Sequence, residues 1–131
     1  NPYRSVSTIF THDMPTLRQW WDEDRDLTQE YYNAVLWKQG PAPHPLPSDV
    51  AEQVVVNHLN SPSMLCMLSL QDWLSIDETI RLADPDAERI NIPANPRHYW
   101  RYRMHMTISQ LMACKEFNEK MTKLITNSGR K

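Results

Sequence analysis

The fold of this chain is limited above all by a run of seven almost wholly apolar residues, MLCMLSL, at positions 64–70. The run is too short to span a membrane, which takes about 20 apolar residues. It lacks the alternation of a strand with one wet face, so it predicts a strand buried on both faces. A second run, RSVSTIF at positions 4–10, is rich in β-branched residues and predicts another strand. Because helical segments separate the two runs, the sequence predicts a parallel α/β sheet.

Apolar residues at helical spacing predict helices between and after the two strands. The first helix is predicted to have Pro15 in its first turn, with Thr11 or Asp13 as its N-cap. The next helices are predicted at 24–39, where Gly40 ends the helix, and at 48–60, where Asp49 and Glu52 have the spacing of a capping box. A short helix is predicted at 77–82, and a terminal helix or helix pair at 107–127.

The apolar positions of these helices fall into three sets. In the second helix they are Leu27, Tyr31, Ala34 and Val35; in the third, Val50, Val54, Val55 and Leu59; and in the terminal helices, Ile108, Leu111, Met112, Phe117, Met121, Leu124 and Ile125. The sets of the third helix and of the terminal helices are predicted to face the core.

Two segments are predicted to lack regular structure. Residues 40–48, GPAPHPLPS, form a proline-rich connector that cannot continue a helix. Residues 84–97 form a long irregular loop, and such loops often carry function. The 131 residues are enough for one domain with a modest core. Two strands do not complete a sheet, however, so we expect this chain to be a segment of a longer protein.

Composition narrows the classes of function. The net charge of −2 provides no basic surface, so neither nucleic acid nor a membrane is expected as a partner. Cys66 and Cys114 are far apart and outside any CxxC motif, which predicts free thiols in a reducing compartment. The chain has two glycines and no glycine-rich phosphate-binding loop.

The pair His12-Asp13 stands where the first predicted strand gives way to a helix. In an α/β barrel this position faces the mouth of the active site, where a carboxylate can bind sugar hydroxyls or stabilise positive charge. Two other interpretations remain open. Asp13 could simply cap the following helix, or the pair could ligate a metal ion as in HD-type phosphohydrolases. The remaining histidines do not have the spacing of metal ligands, which weighs against the metal.

Three further sets of residues are candidates for binding, each with a structural alternative. Trp20 and Trp21 could stack on sugar rings, although adjacent helix residues cannot share a face and core packing is the alternative. Gln71 and Asp72 directly follow the second strand and could equally cap a helix. Arg89, Asn91 and the segment YWRYR at 99–103 offer hydrogen bonds and rings, or could hold the loop in place by stacking.

Taken together, five motifs resemble the 4-α-glucanotransferase family, also called amylomaltases or disproportionating enzymes, near the C-terminal end of its catalytic domain. In order, the motifs are Thr11-His12-Asp13, Trp20-Trp21, Leu70-Gln71-Asp72, RINIP at 89–93 and YWRYR at 99–103. The resemblance covers nearly the whole chain. No single motif is specific, but their shared order and spacing are.

This resemblance implies the last β/α units of a TIM (β/α)8 barrel, in a mostly helical segment with two or three short strands. It also implies transfer of α-1,4-glucan segments between maltooligosaccharides by retaining double displacement. Asp13 would be the carboxylate that stabilises the transition state, and His12 would bind the same sugar. Trp20, Gln71, Asp72, Arg89 and Asn91 would contact or support the substrate. No cofactor and no metal are implied, and the location would be cytoplasmic.

The family's nucleophile and acid/base carboxylates lie upstream of the matched region, so we expect the isolated 131-residue chain to be inactive. The alternative functions are a non-enzymatic helical interaction module and, less favoured, the phosphohydrolase. The remainder of the barrel would be the natural partner of this segment. An isolated barrel segment would expose a strand edge, which predicts a homodimer or domain exchange.

Overall fold

A computed structural model describes residues 2–90, 94–97 and 102–130. Within these ranges the chain is mostly helical. The strands are β1 (Val6–Ser7) and β2 (Leu65–Cys66), and the helices are α1 (Leu17–Glu23), α2 (Arg25–Ala34), α3 (Ser48–Leu59), α4 (Leu70–Leu74), α5 (Ile108–Ala113) and α6 (Lys115–Asn127). A 3-10 helix occupies Pro85–Glu88. None of the helices in the described ranges has the length and apolar character to cross a bilayer.

The two strands pair in parallel, with Val6 opposite Leu65 and Ser7 opposite Cys66. The predicted parallel arrangement is therefore confirmed, because α1 to α3 supply the crossover that parallel strands require. The prediction that β2 is buried on both faces is wrong. Leu65 is 49% exposed and Met67 64% exposed, since among the described residues β2 has a sheet neighbour on one side only.

Helix α1 begins later than predicted. Its N-cap is Thr16, whose hydroxyl accepts from the Gln19 amide while the Gln19 side chain accepts from the Thr16 amide. Thr11 and Asp13 were predicted as caps, and both predictions are wrong. The turn at Thr11–Met14 comes first, closed by the Met14 amide on the Thr11 carbonyl, and only Thr16 has the spacing to reach the first free amides of the helix.

Helix α2 ends at Ala34, five residues before the predicted limit of 39. Its buried side is centred on Thr28, whose hydroxyl donates to the Trp21 carbonyl at 2.9 Å. Leu27 and Val35 are 45% and 46% exposed. The apolar set of this helix is therefore a poor guide to its packed face, because a polar side chain with an internal partner took the buried position.

Helix α3 carries the centre of the core, as its apolar set predicts. The buried residues of α3 are Val50, Ala51, Val54, Val55 and Leu59. Its N-cap is Pro47, with no side-chain cap bond, so the predicted capping box at Asp49 and Glu52 is wrong. Residues 77–82 form turns rather than the predicted helix. The short helix lies earlier, at α4, with the Ser69 hydroxyl as its cap.

The terminal segment is a helix pair, one of the two forms that the sequence predicted. Phe117 is 3% exposed, and Leu111, Met121, Leu124 and Ile125 pack partly buried against the core. Ile108 and Met112 were predicted to face inward but are 70% and 72% exposed. Both lie on α5, which is a separate short helix, so the helical periodicity of α6 does not extend through them.

The proline-rich segment 40–47 contains neither helix nor strand and is bound closely to α1. The Trp21 indole donates to the Pro43 carbonyl at 2.7 Å, and His44 Nδ1 lies 2.6 Å from Asp22 Oδ1. Leu46 is buried in the core. Cys66 and Cys114 are free thiols and partly buried.

Candidate functional site

His12 and Asp13 lie on the surface in the segment between β1 and α1. Their side chains are 53% and 51% exposed, and His12 Nε2 lies 3.2 Å from Asp13 Oδ2. Neither residue caps α1, since Thr16 does. The carboxylate and the imidazole are thus both presented to solvent, where they can reach a ligand.

A group of polar side chains is buried directly behind this segment. We call it the buried polar cluster, and its members, each at most 5% exposed, are Thr16, Arg18, Gln71, Asp72 and Glu88. The cluster joins the start of α1, helix α4 and the end of the 3-10 helix. Buried polar groups are costly unless they are hydrogen-bonded, so the contacts inside the cluster decide how these three segments fit together.

Glu88 is at the centre of the cluster. Its Oε1 accepts from the Thr16 hydroxyl at 3.1 Å, and its Oε2 lies 3.4 Å from Arg18 Nη1. Its carbonyl accepts from Gln71 Nε2 at 3.1 Å. Arg18 Nη1 also donates to the Leu82 carbonyl at 2.6 Å. Burial raises the pKa of Glu88, and the Arg18 guanidinium opposes that rise.

Asp72 is the second buried carboxyl. Its Oδ1 accepts from the Leu17 amide at 3.4 Å, while Oδ2 is buried and has no hydrogen-bond partner among the described residues. Burial raises the pKa of Asp72 to about 7, and nearby Glu88 adds to the rise. A carboxyl in this position retains a proton far above its ordinary range.

Gln71 and Asp72 were candidates for substrate contact. The structure places both in the interior, 4% and 1% exposed, and engaged with α1 and with Glu88. The contacts of Gln71 and Asp72 are therefore packing contacts, which support the start of α1 and the end of the 3-10 helix from the interior.

Two small pockets flank the segment that follows Asp13. One, of about 170 Å³, is mainly apolar and is lined by Ile9, Met14, Pro15, Leu17, Trp20, Tyr31 and Val54. The other, of about 290 Å³, is polar and is lined by Pro15, Gln19, Asp22, Glu23, Asp86 and Arg89. Pro15, two residues after Asp13, lines both pockets.

The other candidate residues are placed as follows. Trp20 is partly buried, edge-on to Tyr31 with ring centroids 5.5 Å apart, and forms part of the apolar pocket. Trp21 is fully buried, as core packing required. Arg89 is half-buried in the polar pocket. Asn91 and residues 98–101 lie outside the described residues, so their predicted contacts stay predictions.

The structure adds Arg18 and Glu88, which sequence reasoning missed. They are 70 residues apart in the chain, and neither belongs to a motif that suggests a partner. Arginine side chains are mostly exposed, so the sequence predicts an exposed arginine near the start of this helix. Only the tertiary contact with Glu88 shows that Arg18 is buried.

No three His, Cys, Asp or Glu side chains come together as a metal site anywhere in the described ranges. The phosphohydrolase alternative would need ligands beyond His12 and Asp13, and this part of the chain offers none.

Comparison with known proteins decides the family. The family model described as 4-alpha-glucanotransferase matches residues 1–108, which is most of the chain and contains every candidate residue. The chain belongs to the 4-alpha-glucanotransferase family. The resemblance drawn from the five motifs is thereby confirmed.

Individual relatives agree with this membership. A 4-alpha-glucanotransferase DPE2 of Oryza sativa subsp. japonica is 35% identical over 128 residues, covering 98% of this chain and 14% of the relative. A 4-alpha-glucanotransferase of Chlamydia pneumoniae is 24% identical, covering 93% of the chain and 23% of the relative. The chain thus spans less than a quarter of the length of either glucanotransferase.

A solved structure shares the fold. Amylomaltase from Streptococcus agalactiae, in complex with acarbose, superposes with a TM-score of 0.72 at 17% identity, covering 99% of this chain and 23% of that one. At this identity the match establishes the fold of the segment alone. The chain therefore has the architecture of part of an amylomaltase.

Proposed function

We propose that this chain forms the last β/α units of a (β/α)8 catalytic barrel, in a parent protein that transfers α-1,4-glucan segments between maltooligosaccharides. The observation that carries this proposal is the family match over residues 1–108, within which His12 and Asp13 are exposed side by side. The similarity to amylomaltase supports the barrel assignment, with β1 and β2 as its last two strands.

In this proposal the reaction is a retaining double displacement. One carboxylate of the parent attacks the anomeric carbon, and a second protonates the leaving oxygen and then activates the acceptor hydroxyl. Both belong to segments upstream of this chain. Asp13 accepts hydrogen bonds from sugar hydroxyls and stabilises the positive charge that develops on the ring in the transition state. His12, 3.2 Å away, orients Asp13 and binds the same sugar.

The remaining residues bind or support the substrate. Arg89 in the polar pocket donates hydrogen bonds to hydroxyls, and Trp20 presents an indole beside the apolar pocket. Asn91 is assigned with Arg89 on the strength of the RINIP motif. Gln71 and Asp72, which are buried, act by supporting these segments. The substrate class is α-glucan, with no cofactor required by the chemistry.

The test is disproportionation of maltotriose by the parent protein and its Asp13→Asn variant. The parent should produce glucose and longer oligomers, and the variant should lose at least about 100-fold in kcat, because a group that stabilises transition-state charge is removed. Asp26→Asn is the matched control: it changes an exposed aspartate of α2 and should retain full activity.

Two results would contradict the proposal. If the parent were inactive on maltotriose, the proposed reaction would be wrong. If the Asp13→Asn variant retained full activity, the reaction would stand but Asp13 would not stabilise its transition state. The 131-residue chain assayed alone should release no glucose, because it lacks the nucleophile and the acid/base carboxylate.

A further inference from the structure

The 3-10 helix and its flanks are held at both ends by one arginine. Arg18 Nη1 donates to the Leu82 carbonyl at 2.6 Å and reaches Glu88 Oε2 at 3.4 Å. Leu82 and Glu88 bracket the helix Pro85–Glu88. A guanidinium offers several donors in a fixed plane, so a single buried side chain can fix two acceptors relative to each other.

Glu88 is also held by two other elements. Its carboxylate accepts from the Thr16 hydroxyl at the N-cap of α1, and its carbonyl accepts from Gln71 of α4. The residue is 2% exposed. Its side chain and its backbone are therefore both anchored, which leaves little freedom to the peptide that follows.

Such a buried pair is better suited to specifying geometry than to adding stability. The cost of removing two charges from water offsets most of their attraction, whereas losing one partner leaves the other charge buried and unpaired. The neighbours of the buried pair are the candidate substrate residues. Arg89 follows Glu88 directly, and Thr16 stands three residues after Asp13.

We propose that Glu88 is a positioning residue, which together with Arg18 holds Arg89 at a fixed place relative to the His12-Asp13 segment. This inference rests on the proposed function. Glu88 does not touch substrate; it acts through Arg89. The loss of Glu88 should therefore weaken sugar binding while leaving the bond-breaking groups intact.

The first experiment measures kcat and KM for maltotriose in the parent protein with Glu88→Gln. KM should rise about tenfold with kcat nearly unchanged. This pattern is expected when a lost contact binds the substrate and the transition state equally well. If Glu88 had only a structural role, its loss would reduce the fraction of enzyme that is folded and active. The apparent kcat would then fall and KM would stay unchanged. The matched control is Glu78→Gln, which removes the same charge from a glutamate whose side chain is 58% exposed and 3.9 Å from Arg81.

A double-mutant cycle shows whether the effect passes through Arg89. In an Arg89→Ala background, Glu88→Gln should raise KM no further, because the group it positions is already gone. If the two substitutions raise KM independently, or if Glu88→Gln alone leaves KM unchanged, the proposal is wrong.

A second measurement does not depend on activity. In the 131-residue chain, Glu88→Gln should speed hydrogen exchange at the Ala87 and Arg89 amides, which bond to Asp84 and Asp86, while amides of α6 keep their protection. Gln71→Met removes the hydrogen bond to the Glu88 carbonyl without changing a charge, and it should speed exchange at the same amides to a smaller extent. This variant replaces Glu88→Gln in the test if Glu88→Gln does not fold.

The two measurements separate the possible failures. A parent that is inactive on maltotriose would refute the proposed function, and with it the effect on sugar binding. Unchanged exchange at Ala87 and Arg89 in both variants would refute the anchoring itself, whatever the activity.

Discussion

At the scale of single residues, the ionisation of Asp72 depends strongly on the fold. It is 1% exposed, one carboxyl oxygen has no partner among the described residues, and Glu88 lies nearby. Its pKa is raised from 3.8 to about 7, with burial as the main cause. In the unfolded chain the same carboxyl returns to its ordinary pKa.

This difference predicts a pH dependence of stability. Between about pH 4 and 7 the folded chain retains the Asp72 proton and the unfolded chain does not, so the free energy of unfolding should fall as pH rises through this range and level off above it. Asp72→Asn, which stays neutral, should show a flatter profile. Urea unfolding at several pH values measures the effect, with Asp49→Asn, at an exposed site on α3, as the control. Parallel profiles for the chain and Asp72→Asn would contradict it.

Trp37 has a backbone conformation that its side chain does not favour. Its φ is +58° and its side chain is 87% exposed, so no packing within the described residues compensates. The residues on either side are fixed: Gln53 Nε2 donates to the Leu36 carbonyl, and Asn33 Nδ2 donates to the Lys38 carbonyl. The left-handed conformation is thus imposed by its neighbours.

Replacing Trp37 by Asn should therefore stabilise the chain by about 1 kcal/mol, because Asn tolerates left-handed backbone better than other non-glycine residues. Thermal unfolding measures the change. Trp37→Ala is the control: it removes the same ring but retains a Cβ without the local hydrogen bonding of Asn, and its gain should be smaller. Equal gains for the two variants would mean that the exposed indole ring, and not the left-handed backbone at Trp37, destabilises the chain.

At the scale of elements, the terminal helices show how far periodicity can be followed. The predicted inward set runs from Ile108 to Ile125 as though one helix carried it. The structure interrupts the helix at Cys114, which ends α5 and begins α6. Phe117 on α6 is buried, whereas Met112 on α5 is 72% exposed.

Truncation of these two side chains should give very different costs. Phe117→Ala should lower the free energy of unfolding by about 3–5 kcal/mol, because a buried ring leaves a cavity. Met112→Ala should change it by less than about 0.5 kcal/mol, as expected at an exposed site. Urea unfolding of both variants measures the contrast. Similar losses would indicate that α5 is packed as the sequence pattern predicts.

At the scale of the whole molecule, the sheet leaves apolar side chains exposed on and beside its two strands. These are Tyr3, Val6, Met64, Leu65 and Met67, each between 48% and 68% exposed. Apolar patches of this kind mark surfaces that another chain segment covers. In the parent protein we propose that the remainder of the barrel covers them.

The isolated chain should therefore self-associate through this surface. Sedimentation velocity across the micromolar range should show a dimer, and Leu65→Lys should shift it towards monomer, because a charged residue on an exposed strand opposes pairing. Met112→Lys, which places the same charge on α5, is the control and should leave the dimer intact. A monomer at all concentrations would contradict the expectation.

The sequence by itself determined what depends on local order and composition. The parallel pairing of the two strands and the buried face of α3 both follow from residue patterns that persist in the fold. The family also follows from the sequence, because five short motifs in a fixed order suffice to recognise it. The exposed pair His12-Asp13 was found in the same way.

Tertiary structure alone decided the features that depend on contacts between distant segments. The contact of Arg18 with Glu88 and the burial of Gln71 and Asp72 have no local signature. Each depends on which side chain finds a partner once the segments meet. The exposure of β2 has the same origin. An apolar run indicates that a strand is buried by other segments, but only the assembled sheet shows whether those segments are present.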